Sequence, residues 1–172
     1  MKRAGFTLIE VLVVAGIIAV LVGITIPAVS MFMARGQATK CLGNLSQIGA
    51  GLQLYLNDND MVMPELLAGR KSKADDGPVI EEVLAEYLPN ADVFICPADR
   101  EIGAASGTSY YWNVALNGQR IGSLNFLQLV DSLQRIPVMS DKEGWHRYDK
   151  QKVNFLYADG HVTKDLQLFT EE

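Results

Sequence analysis

The sequence predicts an α+β fold in which a long N-terminal helix packs on a small antiparallel β-sheet. Three features predict it: an apolar run over residues 6–29, apolar residues at helical spacing over residues 38–56, and short alternating segments further along the chain. With 172 residues and 49% hydrophobic content, the chain can bury one modest core. We therefore expect a single folded head beside the helix.

The apolar run at residues 6–29 is long enough to cross a bilayer. As a helix it would extend about 36 Å, against a hydrocarbon thickness of about 30 Å. Lys2 and Arg3 precede it, which favours a cytoplasmic N-terminus and places the rest of the chain outside the cytoplasm. A secretory signal peptide is the alternative, because Ala28-Val29-Ser30 can serve as a cleavage site, but such peptides have apolar regions of about 7 to 15 residues.

One ionisable residue, Glu10, lies inside this run. A carboxylate within an apolar span costs about 3 kcal/mol and normally persists only with a partner or a role. We therefore expect Glu10 to pair with another charge within the membrane. Pro27 removes a backbone hydrogen bond from the same helix and predicts a bend or local melting there.

The second half of the helix, residues 30–57, is amphipathic. Its apolar stripe consists of Ala38, Cys41, Leu42, Leu45, Ile48, Leu52, Tyr55 and Leu56, and the polar residues on other faces include Asn44 and Gln53. This spacing predicts packing against a globular head formed by residues 58–172. The helix should end near Asn57, where a run of Asn and Asp residues precedes Pro64.

The head shows a mixture of strand and helix patterns. Residues 109–116, 136–140 and 153–158 predict strands, and Asp159-Gly160 predicts a hairpin turn into residues 162–169. Alternation places Tyr110, Trp112, Val114 and Leu116 on one face of the first strand, and Val153, Phe155 and Tyr157 on one face of the third. Residues 78–88 predict a short helix, and residues 124–133 favour another in a connection.

The segment GFTLIEVLVV, from Gly5 to Val14, resembles the processing and methylation site of type IV prepilins and of the pseudopilins of type II secretion. The resemblance implies a leader peptide at residues 1–5, cleavage after Gly5 by a membrane prepilin peptidase, and N-methylation of Phe6. It also implies that Glu10 neutralises the N-terminal amine of a neighbouring subunit during assembly. Pro27 falls where these proteins commonly carry a helix-kinking proline, and the expected fold is pilin-like.

Three further segments resemble a group of prepilin-type proteins. That group is named for a sequence pattern, which is a histidine, nine intervening residues and then Asp-Gly. These segments are CLGNLSQIG from Cys41, CPAD from Cys96 and NFLYADGHV from Asn154. The nearest upstream histidine, His146, is separated from Asp159 by twelve residues rather than nine. This departure leaves any role tied to the family spacing open.

The resemblance implies a structural subunit of a type IV pilus-like or type II secretion pseudopilus filament. Its expected partners are the prepilin peptidase, other pilin or pseudopilin subunits, the inner-membrane assembly platform and the lipid bilayer. The expected location is the inner membrane, single-pass with a periplasmic head, and then an extracytoplasmic filament. The alternative is a membrane-anchored binding module, or a minor pilin, whose head captures a ligand.

The two cysteines of the chain are Cys41 and Cys96, which excludes a four-cysteine zinc site and leaves one disulfide. Outside the cytoplasm such a pair tends to oxidise, and the bond would stabilise the head by about 4 kcal/mol. Two free, separately buried thiols are the alternative.

Other chemistry receives weaker support. The sequence favours structural roles over a metal or catalytic site for three residues: a loop for His146, a turn for Asp159 and the start of a strand for His161. We therefore expect no metal ligands and no enzymatic activity. Calcium is a separate candidate cofactor, because several aspartates could supply oxygen ligands: Asp58, Asp60, Asp75, Asp76, Asp99 and Asp141. None of them lies in a recognisable calcium loop, so a solvated turn is favoured for each. The net charge of -5 and the scattered basic residues argue against a nucleic-acid partner.

Overall fold

The computed structural model describes residues 7–124, 132–146, 152–164 and 166. Within these residues the helices are α1 (Leu8–Asp58), α2 (Ile80–Val83) and α3 (Ile102–Ser106), and the strands are β1 (Tyr110–Trp112), β2 (Pro137–Asp141), β3 (Phe155–Tyr157) and β4 (Val162–Thr163). Short 3-10 helices cover Ala91–Phe94, Val114–Leu116, Ile121–Ser123 and Leu133–Arg135. The long N-terminal helix and the small sheet confirm the predicted pilin-like α+β fold.

The four strands form one antiparallel sheet in the order β1-β2-β3-β4. Tyr110 of β1 pairs with Asp141 of β2, and Ser140 of β2 pairs with Phe155 of β3. The register shifts between Pro137 and Met139. The predicted hairpin at Asp159-Gly160 connects β3 to β4, with Gly160 at a φ of 90°, a conformation that glycine adopts without steric cost.

Helix α1 ends close to the predicted position. Its last turn is closed by the N–H of Met61, which donates to the carbonyl of Leu56 at 2.8 Å. Asp60 and Met61 both have positive φ angles, of 53° and 60°, so the backbone leaves the right-handed helical region there. Upstream, α1 continues without interruption through Pro27, and the local melting expected at that residue is not observed.

The first half of α1 makes little contact with the head. Its large apolar side chains between residues 8 and 33 are 42% to 87% exposed, and the helix is long and apolar enough to cross a membrane. Each such side chain gains about 1.5 to 3 kcal/mol when it leaves water. This surface therefore requires a lipid or protein environment.

The second half of α1 packs against β3, β4 and the 3-10 helix Ala91–Phe94. The predicted apolar stripe is largely buried, and the buried set also includes Gly49 and Gly51. A Cβ atom at position 51 would lie 2.8 Å from Cγ of Leu88, so glycine permits the close approach of the helix to the head.

Asn44 was predicted to lie on a polar face of this helix, and that prediction is wrong. Only 4% of Asn44 is exposed, and its Nδ2 donates a hydrogen bond to the carbonyl of Ile95 at 2.9 Å. Its amide is buried at no large cost because the buried donor has a partner. The head thus supplies a polar contact within a stripe that is otherwise apolar.

The first predicted strand is shorter than expected. After Trp112 the chain turns into a 3-10 helix because Oδ1 of Asn113 accepts a hydrogen bond from the N–H of Ala115 at 3.2 Å, an interaction that favours turns over strands. Val114 is therefore 50% exposed and does not share the buried environment of Tyr110, Trp112 and Leu116, with which alternation had placed it on one face.

The alternation predicted for the third strand did not identify its buried face. Asn154, Leu156 and Ala158 are the deeply buried alternating set, while Val153 and Phe155 are only half-buried. The segment from Phe155 to Tyr157 is apolar at every position, and Tyr157 is buried as well. Alternation could not identify the inner face because both faces carry apolar side chains.

The remaining predicted elements agree only in part with the structure. The predicted helix at residues 78–88 is reduced to α2, whose N-terminal cap Val79 makes no side-chain hydrogen bond. Most of the helix favoured at residues 124–133 lies outside the described residues, as does most of the strand predicted beyond Thr163.

Candidate functional site

Two parts of the molecule carry the residues singled out by sequence, and the first is the N-terminus of α1. Oε2 of Glu10 accepts hydrogen bonds from the N–H and the hydroxyl of Thr7, at 2.8 and 2.7 Å. The N–H of Glu10 in turn donates to Oγ1 of Thr7 at 3.3 Å. This reciprocal pair is a capping box, which satisfies donors that the first turn of a helix leaves free.

The capping box gives Glu10 a partner within its own chain, which was not among the expectations from the sequence. The capping box could have been predicted from the sequence, because the pattern Thr-x-x-Glu lies directly at the start of an apolar run. The carboxylate remains exposed on the surface of the helix, so it can also face a charge from another molecule. Gly5 and Phe6, the predicted processing and methylation residues, lie outside the described residues.

The second part is a group of four buried polar side chains where α1 meets the head, here called the Cys-His cluster. It consists of Cys41 on α1, Cys96 after the 3-10 helix Ala91–Phe94, Asp141 at the end of β2, and His146 in the loop beyond it. None of the four is more than 4% exposed. The fold thus removes two thiols, a carboxylate and an imidazole from water at one place.

The atoms of the Cys-His cluster lie in mutual contact. Sγ of Cys41 lies 3.3 Å from Oδ1 of Asp141, and Nε2 of His146 lies 3.3 Å from Oδ2 of the same carboxylate. Sγ of Cys96 lies 3.8 Å from Nε2 of His146. The ligand atoms of both cysteines and the histidine all lie within 4.8 Å of one another.

Hydrogen bonds from α1 and from within the head hold the segment that carries Cys96. Asn44, one turn beyond Cys41 on α1, binds the carbonyl of Ile95 and thereby fixes the segment that carries Cys96. The N–H of Cys96 donates to the hydroxyl of Ser109 at 2.9 Å. These contacts explain why the helix and the head present their thiols to each other.

The segment that leads into β3 anchors the carboxylate of Asp141, and the neighbouring strand β1 supplies a further contact to the cluster. Its Oδ2 accepts a hydrogen bond from the backbone N–H of Asn154 at 2.7 Å. Tyr110, the residue paired with Asp141 in the sheet, places its hydroxyl 3.4 Å from Sγ of Cys41. The cluster is therefore built on strands as well as on the long helix.

The cluster perturbs the ionisation of its members. The hydrogen bond with Cys41 and that with His146 lower the pKa of Cys96 to about 6, whereas the same contact with Cys96, together with burial, raises the pKa of Cys41. Burial alone would lower the pKa of His146, but hydrogen bonds to Asp141 and Cys96 raise it to about 9. Both shifts favour the charged form of each group, because a Cys96 thiolate and a His146 imidazolium stabilise each other.

These geometries bear on the predicted disulfide. Cys41 and Cys96 are free thiols in the structure, yet they share one buried cluster with their Sγ atoms no more than 4.8 Å apart. The thiols are free, as the alternative expected, but they are not buried separately. The disulfide itself stays a prediction.

At the N-terminus, comparison with known families adds one finding: residues 1–26 match the family described as the prokaryotic N-terminal methylation motif. The chain carries a prokaryotic N-terminal methylation motif. The match contains Gly5, Phe6 and Glu10 and supports a type IV pilin-like or pseudopilin protein; Pro27 and the head lie beyond it. No curated protein and no solved structure matches the chain significantly.

The structure does not bring His146 together with Asp159 and His161 among the described residues. Nδ1 of His161 lies 2.5 Å from Oδ1 of Asp159, and its ring stacks on Tyr157 with centroids 4.5 Å apart. This pair belongs to the turn between β3 and β4, as the turn prediction for Asp-Gly implied. Sequence spacing alone gave no reason to group His146 with the cysteines, which lie 105 and 50 positions before it.

The carboxylates considered for calcium have separate local roles where the structure records their contacts. Asp75 accepts hydrogen bonds from the N–H groups of Lys71 and Ser72 in an exposed turn. Asp99 accepts hydrogen bonds from the N–H groups of Ile102 and Gly103 at the start of α3. Asp141 is only 3% exposed, so the solvated turn expected for it is wrong.

Proposed function

We propose that this protein is a structural subunit of a type IV pilus-like or type II secretion pseudopilus filament, with no enzymatic activity. The observation that carries the proposal is the methylation motif at residues 1–26, joined to a helix whose apolar first half is exposed and whose second half anchors a folded head. Such a chain has one part for the membrane or a filament core and another for the filament surface.

The exposed first half of α1 accounts for both states of the proposed subunit. Before assembly, the bilayer would cover the apolar side chains of residues 8–33. The basic residues Lys2 and Arg3 favour the cytoplasmic side for the N-terminus and the periplasm for the head. After assembly, the same side chains would pack against the helices of neighbouring subunits.

Processing would prepare the N-terminus for this packing. Cleavage after Gly5 by a prepilin peptidase would remove Lys2 and Arg3 and leave Phe6 as an N-methylated terminus four residues before Glu10. The exposed carboxylate of Glu10 could then pair with the Phe6 amine of an adjoining subunit, delivered by the inner-membrane assembly platform. A charge pair of this kind offsets the cost of each group in an apolar core.

Cell fractionation tests the proposed function. Cells that express the native chain should release part of it with sheared surface filaments, which pellet without detergent. A protein that stays entirely in the membrane fraction, under conditions in which filaments are recovered from the same cells, would contradict the proposal. That result would instead favour an anchored module whose head captures a ligand.

A further inference from the structure

We propose that the Cys-His cluster is a structural zinc site in which Cys41, Cys96, His146 and Asp141 are the four ligands. The inference rests on the geometry of the head and is independent of the proposed filament function. It assigns a role to four buried polar side chains that neither the methylation motif nor the membrane helix explains.

The donor set suits zinc. Structural zinc sites are four-coordinate and use cysteine sulfur, histidine nitrogen and, less often, carboxylate oxygen. The cluster supplies two sulfurs, one imidazole nitrogen and one carboxylate. Calcium and magnesium prefer oxygen ligands throughout, so this mixture of sulfur and nitrogen argues against them.

The distances between donor atoms agree with a tetrahedron. Zinc bonds of about 2.3 Å to sulfur and about 2.0 Å to nitrogen and oxygen give tetrahedral edges of about 3.3 to 3.8 Å. Two separations are close to such edges and share Nε2 of His146: Cys96 Sγ to His146 Nε2 at 3.8 Å and His146 Nε2 to Asp141 Oδ2 at 3.3 Å. Cys41 Sγ lies 3.3 Å from the other oxygen of the same carboxylate, Oδ1. The other pairs among the cysteines and the histidine lie within 4.8 Å, so shifts of about 1 Å bring these three donors to tetrahedral distances. Asp141 would then turn one of its two oxygens to the metal as the fourth ligand.

The burial of the cluster points to a cation. Two thiols and a carboxylate lie together where no member is more than 4% exposed, and these donors can all be ionised away from water only with positive charge beside them. Zn²⁺ would supply more of that charge than the His146 imidazolium alone. Nδ1 of His146 is itself buried and has no hydrogen-bond partner among the described residues. The other ring nitrogen of His146, Nε2, is the one that faces Asp141 and Cys96.

A disulfide between the cysteines would account for less of the site. It would use two of the four groups and leave His146 and Asp141 as a buried pair beside an uncharged bond. Zinc engages all four. Binding requires no redox partner, because Zn²⁺ displaces the thiol protons and any imidazolium proton to solvent and forms bonds to two thiolates, neutral imidazole and carboxylate.

The site would serve to join the stem to the head. Its ligands come from α1, from the segment after Ala91–Phe94, and from β2 with its following loop. With four protein ligands and no exposed position it is closed, as structural rather than catalytic zinc sites are. Zinc would thereby hold the head on the amphipathic half of the helix.

Cobalt titration of the full-length protein in detergent, after chelation and under anaerobic reducing conditions, tests the proposal. Co²⁺ should bind one per chain and produce the intense charge-transfer absorption of thiolate–cobalt bonds, together with visible bands of a tetrahedral site. Added Zn²⁺ should displace it stoichiometrically. Absence of a thiolate–cobalt signal in the native chain would overturn the proposal.

The two histidines of the chain provide matched variants. His146→Ala should weaken Co²⁺ binding by more than about 100-fold, beyond the 10- to 100-fold typical of residues that only orient a ligand. His161→Ala removes the exposed histidine of the β3–β4 turn and should leave binding unchanged. Equal binding by both variants would overturn the assignment of His146.

Metal analysis of the unmodified protein keeps the test decisive if His146→Ala does not fold. Native mass spectrometry of the chain refolded with one equivalent of Zn²⁺ should show one bound zinc and two reduced cysteines. Formation of a Cys41–Cys96 disulfide despite stoichiometric Zn²⁺, under air, would contradict the zinc site and support the disulfide.

Discussion

Glu10→Gln protein is expected to reach the membrane at the normal level but to form no filaments. Glutamine keeps a side-chain oxygen for the capping box with Thr7, so the helix start should persist. It removes the negative charge that we propose to pair with the Phe6 amine of an adjoining subunit. Filament recovery by shearing and membrane content by immunoblotting measure the two effects.

Thr7→Ala is the matched control for this prediction. It removes the hydroxyl that bonds to Glu10 and should cost about 1 kcal/mol of helix stability, but it keeps the carboxylate. Filaments should therefore form. Normal filaments from Glu10→Gln, or loss of filaments only in Thr7→Ala, would show that Glu10 acts through the helix cap and not through its charge.

Asp141→Ala is expected to lower the free energy of unfolding of the metal-free head by about 3 to 5 kcal/mol, the range measured when one partner of a buried ion pair is removed. The carboxylate contacts His146, accepts a hydrogen bond from the thiol of Cys41, and accepts another from the N–H of Asn154 at 2.7 Å. Its removal takes the charged partner from His146 and an acceptor from the buried thiol of Cys41 and the buried N–H of Asn154.

Denaturant unfolding of the full chain in detergent, with chelator and reductant present, measures this loss through the near-ultraviolet signal of the head. Asp75→Ala is the control, because Asp75 lies in an exposed turn where it accepts hydrogen bonds from two backbone N–H groups. It should change stability by no more than about 1 kcal/mol. A similarly small effect of Asp141→Ala would contradict the view that the buried carboxylate organises the Cys-His cluster.

Local patterns were sufficient to predict the stem. Apolar residues at helical spacing identified most of the buried stripe of α1, and the cluster of Asn and Asp residues placed its end within a few residues of Asp58. The burial of Asn44 was not predictable in the same way, because it depends on the carbonyl of Ile95, which only the folded head brings near. Propensity and periodicity contain no information about such a partner.

The head was less predictable because its strands are short and its sites are assembled from distant segments. In β3 the consecutive residues Phe155, Leu156 and Tyr157 are all apolar, so alternation could not select the inner face. The Cys-His cluster joins residues separated by as many as 105 positions. The cysteine count suggested that Cys41 and Cys96 meet, whereas only the folded structure shows that Asp141 and His146 meet them.

Mass spectrometry of the mature N-terminus tests the central claim most directly. The chain recovered from the producing cells should begin at Phe6 and carry one N-methyl group, because the motif at residues 1–26 would direct cleavage after Gly5. A chain that begins at Met1 would show that no prepilin processing occurs. A chain that begins near Met31 would show that the apolar segment is a removed signal peptide, and either result would contradict the proposed filament subunit.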